Sequence, residues 1–97
     1  MELTFNWKHK DYEIRETTNP TSNEKYWELV KWQKYKGKPS CFTLASFVKG
    51  SEGWSLKFIG TRPFEYIDED FGIVWDALKL TNETLNSYFK LKRLESN

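Results

Sequence analysis

The chain holds one histidine, His9, and one cysteine, Cys41. Nucleophilic catalysis needs a nucleophile, a base and a group that orients the base. His9 sits in His9-Lys10-Asp11, a polar break that reads as a tight turn, and Cys41 opens a strand after Pro39-Ser40. A Cys41–His9 pair would need the sheet to bring them together, and no spacing in the sequence does so. A lone strand cysteine is ordinarily a small buried hydrophobe. The two residues also fall short of the roughly four N/S ligands of a structural zinc site. Asp68, Glu69 and Asp70 form the one dense carboxylate cluster. It stands where a helix start wants negative charge, which accounts for it without general acid–base chemistry. No Gly-rich phosphate loop occurs, since Gly50-Ser51-Glu52-Gly53 is short and joins strand to strand. The sequence therefore reads as that of a protein that is not an enzyme and calls for no cofactor and no metal.

Two other patterns point to binding. Lys31, Lys34, Lys36 and Lys38 form a basic stretch with no acid among them, and Trp32 and Tyr35 are interleaved. Positive charge with aromatics on a strand is how sheets hold single-stranded nucleic acid, by backbone attraction and base stacking. The same lysines also suit a solvated hairpin that resists edge-to-edge aggregation. Arg62 lies between Gly60 and Pro63 on stiff backbone. It is suited either to pair with Asp68–Asp70 or to receive a partner's carboxylate or phosphate.

The elements that must position these residues follow from periodicity. Leu3, Phe5 and Trp7 alternate with polar residues, as do Tyr12 and Ile14, which reads as two strands of a hairpin. Asn19-Pro20-Thr21-Ser22-Asn23-Glu24 is a loop. Residues 25–35 are rich in β-formers but carry rings on both parities. Either a bulge near Leu29–Val30 switches faces, or both faces are partly covered. Cys41–Lys49 and Trp54–Gly60 complete the strands around the Gly50–Gly53 turn. From Asp68 the period becomes helical: Phe71, Val74, Trp75, Leu78, Leu85 and Phe89 form a stripe. Thr81-Asn82 interrupts that stripe and predicts a kink or break. Phe89-Lys90-Leu91-Lys92 alternates like a strand but also fits the last turns of the helix, and a short strand or frayed extension is the favoured reading.

The fold class is α+β. An antiparallel sheet of four to five strands (about 3–8, 12–18, 25–35, 41–49 and 54–60) packs on one C-terminal amphipathic helix (about 68–88). A helix of that length spans about 30 Å, enough to cross strands spaced about 4.8 Å apart. Residues 1–97 form one domain.

Composition narrows the function classes. With 15 Lys+Arg against 14 Asp+Glu the net charge is +1, which excludes both an acidic nucleic-acid mimic and a histone-like polycation. Residues 1–66 carry net +3 and residues 67–97 net −2. No apolar run is long enough for a transmembrane helix, so no membrane partner is expected. The start of the chain lacks a signal-peptide pattern and disulfides are impossible within one chain, so the expected location is the cytoplasm. Asn82-Glu83-Thr84 matches a glycosylation sequon, read here as chance.

Aromatics supply the functional expectation. The chain has seven Phe, five Trp and five Tyr. Phe71 and Trp75, with Phe42 or Phe47 and Phe58, suffice for a core beneath one helix. The surplus, Trp27, Trp32, Tyr35 and Trp54, should then lie on the open sheet face, and with Arg62 it marks a partner-binding surface. The expected function is a small binding module acting through protein–protein contact, as a homodimer, adaptor or inhibitor of an unknown larger protein. The alternative is single-stranded nucleic-acid binding through Lys31, Lys34, Lys36, Lys38 and the sheet aromatics. A small-molecule pocket between helix and sheet is a further option.

Overall fold

The computed structural model describes residues 3–59 and 70–95. Five strands, β1 (Trp7–His9), β2 (Tyr12–Thr18), β3 (Lys25–Tyr35), β4 (Lys38–Gly50) and β5 (Gly53–Phe58), are followed by one long helix, α1 (Phe71–Glu95). The strands pair antiparallel in chain order and curl into a half-barrel, so the α+β architecture is as the periodicity predicts.

Short connections dictate that order, because antiparallel neighbours need only a tight turn. Lys36 and Gly37, both at positive φ (51° and 78°), make the two-residue turn between β3 and β4. In the β2–β3 loop the Asn19 side chain accepts the Thr21 and Ser22 amides, at 2.9 and 3.3 Å.

Cross-strand partners share a face. Trp7, Ile14, Leu29, Ala45 and Phe58 form one row across all five strands, and Trp27, Phe47 and Leu56 form the next. Val74, Leu78 and Leu85 of α1 close over these rows, and the resulting core includes Ile14, Leu29, Leu44 and Phe47. The predicted irregularity lies at Leu29/Val30, but its extra residue belongs to β4. Leu29 faces Ala45 and Val30 faces Thr43, so Leu44 is the inserted position and points into the core. Leu29 and Val30 are both fully buried, on opposite faces.

Four features differ from expectation. The fourth strand begins at Lys38 rather than Cys41, because Lys36 and Gly37 alone complete the turn and Lys38, Pro39 and Ser40 already pair with β3. Residues 3–6 alternate in burial as read, but they lie outside the ladder. They pack against the core, and the Phe5 carbonyl accepts the Trp27 indole N–H at 3.3 Å. The helix runs unbroken through Thr81-Asn82. Thr81 is buried because its hydroxyl donates to the Ala77 carbonyl one turn back, at 2.7 Å, which leaves no unsatisfied group. Residues 89–94 are helical, not a strand. Helical spacing joins Lys92 to the Tyr88 ring and to Glu95, and the last turn carries Lys92 and Arg93, matching the negative end of the helix dipole. Asn82, the sequon residue, is helical with its side-chain oxygen buried.

Two polar ties fix α1 over the sheet. Just before its first residue Asp70 accepts from Lys10, in the β1–β2 turn, at 3.2 Å and meets His9, the last residue of β1, at 3.4 Å. Further along, the Asn86 amide pairs with both backbone groups of Trp54 on β5, accepting its N–H at 2.7 Å and donating to its carbonyl at 3.0 Å. Gly53 must be glycine there: its φ is +135°, and a Cβ would run into the Asn86 side chain.

Candidate binding surfaces

The register separates the residues singled out by the sequence. Trp27 does not lie on the open face. It shares a row with Phe47 and Leu56 on the helix side and is only 4% exposed. Trp54 joins it there, in edge-to-face contact with ring centroids 5.6 Å apart. Two causes bring the aromatic surplus inside. The half-barrel curls around the helix, and Leu3, Phe5 and Trp7 add cover beyond α1 itself.

Trp32 does lie on the opposite face, but in a polar network. Its indole N–H donates to Glu13 at 3.0 Å, and Arg15 sits over its ring at 5.6 Å. Arg15 reaches Glu28 through two nitrogens, at 3.2 and 3.1 Å, and Glu28 also accepts the Thr43 hydroxyl at 3.1 Å. Glu13 and Glu28 are both buried. The outer face is thus a charged ladder rather than an apolar, ring-rich surface, and each buried carboxylate in it meets a cation or a hydrogen-bond donor.

Tyr35 is 63% exposed at the tip of the β3–β4 hairpin, with Lys36 over its ring. The basic stretch divides between faces. Lys31 lies on the helix side over the Tyr12 ring at 5.2 Å, and Lys34 lies opposite Pro39 on the other side. Lys36 is in the turn, and Lys38 pairs with Tyr35. Arg62, Asp68 and Glu69 lie outside the described residues. His9 and Cys41 fall on opposite faces, because Cys41 pairs with Trp32 while His9 is in register with Tyr12. Among the described residues no three His, Cys, Asp or Glu side chains gather closely enough to hold a metal ion. No described helix is long and apolar enough to cross a membrane.

Two surfaces remain that the sequence reading did not isolate. The first is a cavity of about 310 Å³ at the Trp54 end of the sheet. Trp27, Trp54, Tyr88 and Phe89 wall it, and Lys25, Lys49 and Lys92 surround it. Lys49 lies over the Phe89 ring at 6.0 Å and Lys92 over Tyr88 at 5.6 Å. The Tyr88 phenol and Glu95 hold the Lys92 ammonium above its usual range, so it stays charged.

The second surface is the outward side of α1. Ile73, Leu80, Ser87 and Leu94 recur every seven residues, with Thr84 and Leu91 between them, while Ala77, at the same spacing, is buried where the row borders the core. Leu80 is 56% and Leu94 72% exposed, and Ile73 and Leu91 are also open to solvent. This is a heptad seam on the flank away from the core. The core stripe was legible because it is longer and more apolar. The outer seam was hidden because Ala77, Thr84 and Ser87 dilute it.

No protein family, curated protein or solved structure matches this chain.

Proposed function

We propose that the protein is a small non-enzymatic binding module whose primary contact is with a second copy of itself, helix against helix. The observation that carries this reading is the exposed seam of Ile73, Leu80, Leu91 and Leu94 on α1. Exposed apolar residues scattered singly are ordinary, but a row at heptad spacing along one helix is the pattern of a helix–helix contact.

Charge selects the orientation. Residues 70–83 carry Asp70, Asp76 and Glu83 against Lys79, whereas residues 84–95 carry Lys90, Lys92 and Arg93 against Glu95. A parallel pair would set like charges side by side. An antiparallel pair sets the acidic half of each helix against the basic half of the other, under a two-fold axis near the middle of α1. The seam from Ile73 to Leu94 is about 31 Å long. One helix width over that length falls below the ~800 Å² per partner of a standard interface, so association is weak and concentration-dependent.

Sedimentation equilibrium from micromolar to millimolar protein tests the reading. The expected result is a monomer–dimer equilibrium that Ile73→Lys with Leu80→Lys abolishes while the circular dichroism spectrum stays unchanged. A monomer throughout that range, or a dimer indifferent to both substitutions, overturns it.

A further inference from the structure

We infer that the cavity at the Trp54 end of the sheet is a nucleotide-binding site, taking a base between its rings and a phosphate at its lysines. The inference concerns a different surface from the helix seam and does not rest on its apolar residues, although Lys92 and Arg93 belong both to the basic half of α1 and to the hollows.

Three observations converge. First, four aromatic residues, Trp27, Trp54, Tyr88 and Phe89, line the cavity, and the volume of about 310 Å³ suits one ring system rather than a peptide segment. Stacking on aromatic side chains is the sequence-tolerant way proteins hold a base. Second, cations arrive from three separate elements: Lys25 at the start of β3, Lys49 at the end of β4 and Lys92 in the last turns of α1. Glu24 is the one carboxylate among the residues lining the cavity. Lys25 and Lys92 do keep pairs just outside it, with Glu16 at 3.3 Å and Glu95 at 3.6 Å. Ammonium groups carry several N–H donors, so the three lysines can still donate to a phosphate that enters beside them. Third, the cavity does not stand alone. Adjoining hollows extend from it on two sides, one reaching Tyr26 and Ser22, the other Ser51 and Arg93, and Lys49 lines all three. That continuity lets a strand run past the site, with one base inserted and neighbouring phosphates on Lys49, Lys92 and Arg93.

The basic stretch Lys31–Lys38 lacks this arrangement, since its lysines divide between faces and the hollow that Lys31 and Lys34 line holds one aromatic ring, Trp32, beside the Asp11 carboxylate. The nucleotide chemistry suggested by lysines with interleaved aromatics is therefore placed at the opposite end of the sheet.

The test is fluorescence titration, because Trp27 and Trp54 report from within the cavity. Probes are thymidine 5′-monophosphate, thymidine and oligo-dT. Binding of the monophosphate or the oligomer is expected, weakened by salt, with thymidine about tenfold weaker for want of a phosphate. Lys49→Glu with Lys92→Glu should lower the affinity at least about tenfold, while Lys34→Glu with Lys36→Glu, the same charge change at the far hairpin, should leave it intact. Equal affinity for monophosphate and oligomer identifies a free nucleotide as ligand, and a strong preference for the oligomer identifies a single strand. No response to either probe at low salt, or equal losses in the two double variants, overturns the proposal. The Ile73→Lys, Leu80→Lys monomer should bind as the parent does, which keeps the two proposals separable.

Discussion

Asn86 pairs with a peptide unit as a neighbouring strand would. Its amide accepts the Trp54 N–H and donates to the Trp54 carbonyl, and the same Nδ2 reaches the Asn82 carbonyl at 3.0 Å. Replacing it by alanine leaves two backbone groups of β5 unpaired, a loss of about 1–3 kcal/mol in urea denaturation. Asn86→Leu restores volume without hydrogen bonds and should lose as much. Asn86→Asp keeps the acceptor but sets a carboxylate oxygen against the Trp54 and Asn82 carbonyls, so it should not recover the loss. Asp70 makes the other tie. Lys10 first, and His9 second, hold its carboxyl below the usual carboxylate range. A carboxyl lowered in the folded state contributes stability above its unfolded value near about 3.9, and loses it as pH falls through the folded value. Asp70→Asn should therefore lower the denaturation midpoint at neutral pH, and the gap to the parent should close in acid. Added salt should narrow it too, since Lys10 is exposed.

The sheet's outer face depends on its charged ladder as a unit. Glu28 anchors Arg15, which in turn covers Trp32, and Trp32 holds Glu13. Glu28→Ala leaves the guanidinium half-buried without its carboxylate and the Thr43 hydroxyl without its acceptor, for a loss of about 1–3 kcal/mol by thermal or urea unfolding. Replacing Glu28 and Arg15 together should cost less than the sum of the single losses. Strand order, the hairpin turns and Val74, Leu78 and Leu85 of the core stripe were legible in the sequence, because alternation, paired turn residues and helical spacing are local signals; Phe71, read as a core anchor, is exposed at the first turn of the helix. The ladder was not, because Glu13, Arg15, Glu28 and Trp32 are brought together only by register. For the same reason Trp27 and Trp54 were read as surface: parity separates two faces but does not say which one a curled sheet encloses. The seven extra residues of the helix were missed because Phe89 and Leu91 alternate over too short a span to separate strand from helix.

Across the whole molecule the features sort by end. The protein measures 50 × 29 × 24 Å. The exposed β3–β4 hairpin, with Tyr35 and Lys36, marks one end of the sheet, and the aromatic cavity with the last turns of α1 marks the other. Because the proposed helix pairing rests partly on opposed charges at exposed positions, the dimer should dissociate more readily as ionic strength rises, checked by sedimentation across a salt series. The antiparallel arrangement brings the basic end of each α1 toward the acid-bearing half of the other, so the cavities face away from each other at opposite poles. The Asn86–Trp54 pairing has a further effect on growth. A sheet with a bare outer strand is a template onto which copies add without limit. Here β1 is three residues long, and on β5 a helix side chain already fills the place where an incoming strand would begin. The proposed pairing at the helix seam would close on itself at two copies, while the route to open-ended filaments is obstructed at both edges of the sheet.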